Sequence, residues 1–159
     1  MNEMRQEFKA PWGRLLAGIS SAAVFVLLFV AWKGHAEGEL VWLLPLGAFL
    51  AVPFIVRGYA VENGRLLIRR VGWVKTFPLD ELESVEIDPQ AMHGSIRLFG
   101  NGGLFSFTGL YRNKRLGNYR SFVNDWKRSV VVRFANRTIV VSPDDPVAFK
   151  QALDARTNQ

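Results

Sequence analysis

Two uncharged apolar runs in the first fifty-six residues constrain this chain more than anything else in it. Leu15 to Trp32 is eighteen residues without a charge. As a helix it rises about 27 Å, close to the ~30 Å hydrocarbon core of a bilayer. Leu40 to Val56 is a second run, one residue shorter, interrupted by Pro45 and Pro53. Proline disfavours a helix in water, but membrane helices tolerate it where neighbours satisfy the freed carbonyls. Seven polar or small residues, Lys33 to Glu39, join the runs. Two such runs in succession favour a membrane hairpin over a buried core helix. Small residues four apart (Ala17 and Ser21, Gly18 and Ala22, Gly47 and Ala51) allow two helices to approach closely. Trp12, Trp32 and Trp42 stand near the ends, where amphipathic rings favour the interface. A cleaved signal peptide is the competing reading of the first run, with Gly34-His35-Ala36 as its cleavage site. The length of the apolar region and the position of Lys33 weigh against it.

Lysine and arginine set the expected orientation. Arg5, Lys9 and Arg14 precede the first run, Lys33 alone occupies the connection, and Arg57, Arg65, Arg69, Arg70 and Lys75 follow the second. The positive-inside rule then places both termini in the cytoplasm, making this an integral protein of the cytoplasmic membrane. Zero cysteines agree with a reducing compartment. Residues 57–159 hold sixteen Lys and Arg against ten Asp and Glu, whereas the first fifty-six hold four of each. The net charge of +6 therefore belongs to the C-terminal part, which is long enough for one domain with one core. The anionic inner leaflet is the first candidate partner of such a domain, each basic residue near it being worth about 1 kcal/mol. No helix-turn-helix, zinc or RNA-binding signature accompanies the charge, so no nucleic-acid partner is expected.

The C-terminal part reads as short strands. Tyr59 to Glu62 and Arg65 to Arg70 flank Asn63-Gly64, a pair suited to the positive φ of a tight hairpin turn. Gly72 breaks the chain before Trp73 to Phe77, and Pro78 to Leu82 reads as a helical turn. Val85 and Ile87 alternate with Glu86 and Asp88; Ile96 and Leu98 flank Arg97; Phe105 and Phe107 flank Ser106. Ser129 to Phe134 and Thr138 to Val141 form a further hairpin around Ala135-Asn136-Arg137. The period then changes. Ser142-Pro143-Asp144-Asp145 reads as a helix start, with a serine cap and proline at the first position. Phe149, Ala152 and Leu153 follow on one face. About seven antiparallel strands and one amphipathic helix are expected, the helix plugging the open end of the sheet.

Two spans followed by Tyr59-Ala60-Val61-Glu62-Asn63-Gly64 and Phe77-Pro78-Leu79 resemble bacterial membrane proteins that carry a pleckstrin-homology-like (PH-like) domain. The most particular stretch is Gly100-Asn101-Gly102-Gly103-Leu104-Phe105-Ser106-Phe107-Thr108-Gly109, followed by Tyr111-Arg112-Asn113-Lys114 and Tyr119-Arg120. It is similar to a bacterial PH-domain family in which such a Gly- and Phe-rich segment recurs. The resemblance covers most of residues 57 to 156. It implies a strongly bent seven-stranded antiparallel barrel capped by a C-terminal helix, and it does not imply phosphoinositide binding. The expected fold class is thus an N-terminal arm and two-helix transmembrane hairpin (residues 1–56, spans about 15–32 and 40–56), then a mainly-β PH-like domain (residues 57–159).

Few residues invite chemistry. Gly100-Asn101-Gly102-Gly103 lacks the following helix and the Lys with Ser or Thr of a phosphate loop, so a glycine turn or bulge is expected. Arg112, Lys114, Arg115 and Arg120 cluster near Tyr111 and Tyr119, with Gly109 and Gly117 loosening the backbone. They are the candidate contacts for anionic lipid or a phosphorylated ligand, arginine supplying forked donors; a solvated loop is the plainer reading. Asp80, Glu81, Glu83, Glu86 and Asp88 match no calcium loop and read as a solvated face. The only histidines are His35 and His93, and no nucleophile-elbow motif accompanies His93. No catalytic residue, metal site or cofactor is expected. The expected role is a non-catalytic, membrane-anchored binding module that recruits a protein partner or contacts anionic lipid headgroups. The alternative is a structural or assembly subunit acting through its helix hairpin. An enzyme on phosphorylated lipid would rest on the arginine cluster and the glycines alone.

Overall fold

A computed structural model of the chain describes residues 5–34, 49 and 51–157. The Asn63-Gly64 turn forms as its sequence dictates, with φ of +49° and +66°, and joins strands β2 (Val56–Glu62) and β3 (Arg65–Arg70). Strand β4 (Val74–Pro78) continues the sheet beyond β3. A fourth strand comes from the N-terminal arm: β1 (Gln6–Lys9) pairs antiparallel with β2 from Gln6↔Val61 to Lys9↔Gly58. The arm is therefore part of the sheet, although the sequence reading drew the domain only from residue 57. Phe8 accounts for its docking, turning its ring edge onto Phe149 at 5.1 Å.

The second sheet has six strands. In spatial order they are β5 (Leu82–Ile87), β9 (Val130–Phe134), β10 (Arg137–Val141), β8 (Gly117–Val123), β7 (Phe107–Asn113) and β6 (Ile96–Gly102). All pairs are antiparallel except β8 with β10. That exception corrects the expected all-antiparallel arrangement. The chain leaves β8, makes a 3₁₀ turn at Trp126–Arg128, runs up β9 and returns in β10 alongside β8. Among the described residues nine strands, β2 to β10, stand where about seven were expected, and β1 from the arm makes ten, in two sheets.

The middle of this second sheet, β9 and β10, is buried on both faces. Val130, Val132, Phe134, Ile139 and Val141 pack against Tyr59, Leu66, Ile68 and Phe77 of the first sheet. On the opposite face Val131 and Val140 lie with Phe107, Tyr111, Tyr119, Ala91 and Met92. Burial on both sides explains why β9 reads as an unbroken valine run rather than an alternation.

Helix α1 (Arg14–Gly34) holds the first apolar run, and its 21 residues carry the chain about 31 Å. The second run departs from expectation where it is described. Val52–Phe54 form a single 3₁₀ turn, with Pro53 at its start, and Val56 already belongs to β2. Residues 40–48 and 50 of that run lie outside the described residues, as does His35. One helix, not a confirmed pair, is thus long and apolar enough to cross a membrane among the described residues.

Helix α2 (Pro146–Thr157) packs Phe149, Ala152 and Leu153 into the core, the face anticipated from its period. Its start lies three residues later than the serine cap implied. Asp145 caps it, its Oδ1 accepting from Val147 N (3.0 Å) and Ala148 N (2.9 Å), with Pro146 next. Ser142 is instead fully buried, and its N–H donates to the Tyr59 hydroxyl at 3.0 Å.

Candidate functional site

Asn124 joins the helical segment to the β domain. Its side chain is buried, and its amide nitrogen donates to the carbonyls of Ala10 (3.1 Å) and Val56 (2.8 Å). Ala10 lies just before α1; Val56 lies just after the 3₁₀ turn. One amide therefore holds both the point where the chain leaves the domain and the point where it returns. Ser142 Oγ accepts from the N–H groups of Asn124 (2.8 Å) and Asp125 (3.2 Å), which fixes the amide in place.

A second set of bonds fastens the foot of α1 to the β6–β7 hairpin. The buried Ser20 hydroxyl donates to Gly103 O at 3.1 Å and accepts from Phe105 N at 2.9 Å. Ser106 Oγ donates to Phe54 O at 3.0 Å. Leu16 is wholly buried, whereas Phe25, Leu28 and Trp32 farther along are exposed. Among the described residues the helix is tied down by its first turns only.

The Gly-rich segment is therefore a clamp. Gly100 and Gly109 are cross-strand partners, and a Cβ at Gly109 would collide with the Phe99 carbonyl, so the two backbones approach as only glycine allows. Asn101 Oδ1 accepts from Gly103 N (3.3 Å) and Leu104 N (3.0 Å). With Phe105 N on Ser20, these amides are already engaged and do not form a phosphate cradle.

Beside this clamp lies a cleft of about 380 Å³, lined by Phe54, Arg70, Phe99, Leu110, Arg120 and Phe122 among others. Phe99 is 79% exposed and stands opposite Leu110 in the β6–β7 register. Arg120 stands opposite Leu110 in the β7–β8 register. The Arg70 guanidinium lies 4.8 Å from the Phe122 ring centre and 5.6 Å from that of Trp73. Its Nε is buried without a hydrogen-bond partner. Burial first, and the charge of Arg120 second, lower the Arg70 pKa from its ordinary value. Among the described residues no carboxylate pairs with Arg70 or Arg120.

The four cations singled out from sequence are divided. Arg112 is the last residue but one of β7, Lys114 and Arg115 occupy the turn after it, and Arg120 stands within β8. Arg115 is bound to Asp88 at 2.8 Å. Asp88 is not part of a solvated face: it is buried, and its Oδ1 accepts from Gln90 N at 2.8 Å. Arg112, Lys114 and Arg120 are exposed. Seven-residue β7 separates Lys114 and Arg115 from the clamp by roughly 20 Å. Only Arg120 reaches the cleft, and there it meets Arg70, which sequence reasoning counted as a topology charge. The signal was present: Leu66, Ile68 and Arg70 share one strand face, so Arg70 is a charge on the dry side of β3.

No group of three or more His, Cys, Asp or Glu residues is placed to hold a metal ion among the described residues. His93 is exposed in the turn before β6. Comparison with curated proteins and with solved structures found no match. A family model described as bacterial PH domain matches residues 57–157, which span β3 to β10 whole, nearly all of β2, and α2. With two β sheets closed by a C-terminal helix and that match along more than half its length, the chain belongs to the bacterial PH domain family.

Proposed function

We propose that this chain is a non-catalytic binding module anchored in the cytoplasmic membrane, its PH-like domain held against the inner leaflet. The observation that carries the proposal is α1. Within its Arg14–Lys33 stretch the most apolar eighteen-residue window is only 11% buried. An apolar helix that its own domain leaves uncovered needs another apolar phase. The Asn124 bonds support a hairpin, because the chain departs after Ala10 and returns by Val56 on the same side of the domain. That return supports the reading of an even number of crossings, and the cations flanking both ends favour the cytoplasmic side. PH domains are generally binding modules without catalytic activity, and the exposed cations Arg112, Lys114 and Arg120 are the surface it would offer to a protein partner or anionic lipid.

A second reading, an assembly subunit working through its helices, is favoured by one observation. Gly18, Ser21 and Ala22 form an exposed small-residue face, and nothing stands within 4 Å of where a Gly18 Cβ would be. Photo-crosslinkers placed singly at Lys114, Arg112, Ser21 and Ala22 in the full chain separate the two. A partner captured from Lys114 or Arg112 supports the module. A partner captured only from Ser21 and Ala22 supports the assembly subunit and overturns the first reading.

A further inference from the structure

We propose that the Arg70–Arg120 cleft is a binding site for one anionic phospholipid of the bilayer, its phosphate between the two guanidiniums and its apolar part on Phe99, Leu110 and Phe54. The inference rests on the membrane-anchored reading above and assigns it a site different from the exposed β7–β8 turn.

Three features converge. The first is uncompensated charge. Two guanidiniums line one cleft with no carboxylate on either among the described residues, and among these the buried Arg70 Nε has no acceptor for its hydrogen. A buried donor left unpaired is costly, and a phosphate supplies acceptors in the geometry that a guanidinium matches. The second is an apolar floor. Phe99, Leu110 and Phe54 are large, exposed and in the same cleft as the charges. A free inorganic anion has no use for that floor, whereas an amphiphile uses both parts. The third is position. Phe54 ends the 3₁₀ turn at which the chain returns to the domain, its ring meets Trp73 edge-on at 5.3 Å, and its carbonyl is held by Ser106 of the clamp. With α1 embedded, the cleft opens at headgroup level, where aromatic rings are favoured. The two arginines then hold a lipid that diffuses to them in the plane of the membrane.

The test uses the full-length protein in phosphatidylcholine nanodiscs containing a minor share of spin-labelled phosphatidylglycerol. The motionally restricted fraction of the label, compared with spin-labelled phosphatidylcholine, reports lipid selectivity. One basic contact at the leaflet corresponds to about fivefold in the equilibrium constant. Arg120→Ala and Arg70→Met are each expected to lower the selectivity for phosphatidylglycerol about fivefold, while Arg137→Ala, at an exposed cation outside the cleft, leaves it unchanged. Arg120 is exposed, so its variant keeps the fold even where Arg70→Met does not. Equal selectivity in Arg120→Ala and the parent overturns the site. Full displacement of the restricted lipid by millimolar inorganic phosphate also overturns it, by showing a soluble-anion site. Loss of phosphatidylglycerol selectivity in Lys114→Ala alone moves the contact to the turn and overturns it likewise. Failure of the anchor is read separately: a protein that elutes apart from the nanodiscs contradicts the membrane reading itself.

Discussion

Two buried asparagines mark opposite ends of the β domain, and they do different work. Asn113, at the β7–β8 turn, caps its own loop, its Oδ1 accepting from Arg115 N (3.0 Å) and Leu116 N (2.7 Å), and its Nδ2 donates to Ala91 O (2.8 Å) and Ser95 Oγ (2.9 Å) of the preceding turn. Asn124, at the foot of α1, bonds residues 114 and 68 positions away in sequence. The charges differ in the same sense. At the turn Arg115 is neutralised by Asp88; at the foot Arg70 and Arg120 have no carboxylate partner among the described residues. One end is a finished loop. The other gathers distant segments and leaves its cations available. The density of positive charge in a sequence therefore points to the wrong end, because it takes no account of pairing.

The comparison can be broken by mutation. Asn124→Ala leaves the carbonyls of Ala10 and Val56 short of a buried donor, and is expected to cost about 2–4 kcal/mol. Thermal unfolding of the detergent-solubilised chain measures this. A loss no larger than that of an exposed substitution would show that the foot is not held by this amide.

Tyr59→Phe comes next. The Tyr59 hydroxyl donates to Phe122 O at 2.6 Å and accepts from Ser142 N at 3.0 Å, and losing both is expected to cost about 1–3 kcal/mol. It also carries a pH signature. Burial pushes the Tyr59 pKa up to about 12, against 10.0 ordinarily. Between those values the unfolded chain releases this proton while the folded chain keeps it. Stability is therefore full below pH 10 and falls as pH rises towards 12, and the phenylalanine variant should show a shallower fall over that window. Identical alkaline slopes would contradict the assignment.

Ser20→Ala removes one donor and one acceptor from the clamp and is expected to cost about 1–2 kcal/mol, with faster amide exchange at Phe105. Arg115→Ala is the smallest change. Its partner salt bridge is half exposed, and the expected loss is about 0.5 kcal/mol. A larger loss there than for Ser20→Ala would reverse the ranking of the two ends.

Much of the fold was legible where one local rule acted alone. The Asn63-Gly64 turn, the β9–β10 hairpin and the apolar face of α2 all follow from spacing. Strand β8 was not legible, because the buried Ser121 interrupts the apolar face carried by Tyr119 and Val123. Strand β1 has one apolar residue, Phe8, in four, and is held by its partner strand. The α2 start was read at Ser142-Pro143, and Asp145-Pro146 three residues on has the same form. Tertiary structure decided between them, since the Ser142 hydroxyl is taken by the backbone of Asn124. The cleft depended on a pairing between β3 and β8 residues fifty positions apart, which no local pattern records.

The most direct test of the membrane-anchored account is labelling of single cysteines, which a chain with no cysteine of its own permits. Lys114→Cys is placed on an exposed turn of the domain, and membrane-impermeant maleimide is added to intact cells and to lysed ones, with carbonate-washed membranes as the fraction analysed. The account predicts that the protein stays in the washed membranes and is labelled only after lysis. Release of the protein by carbonate, or labelling in intact cells, would contradict it.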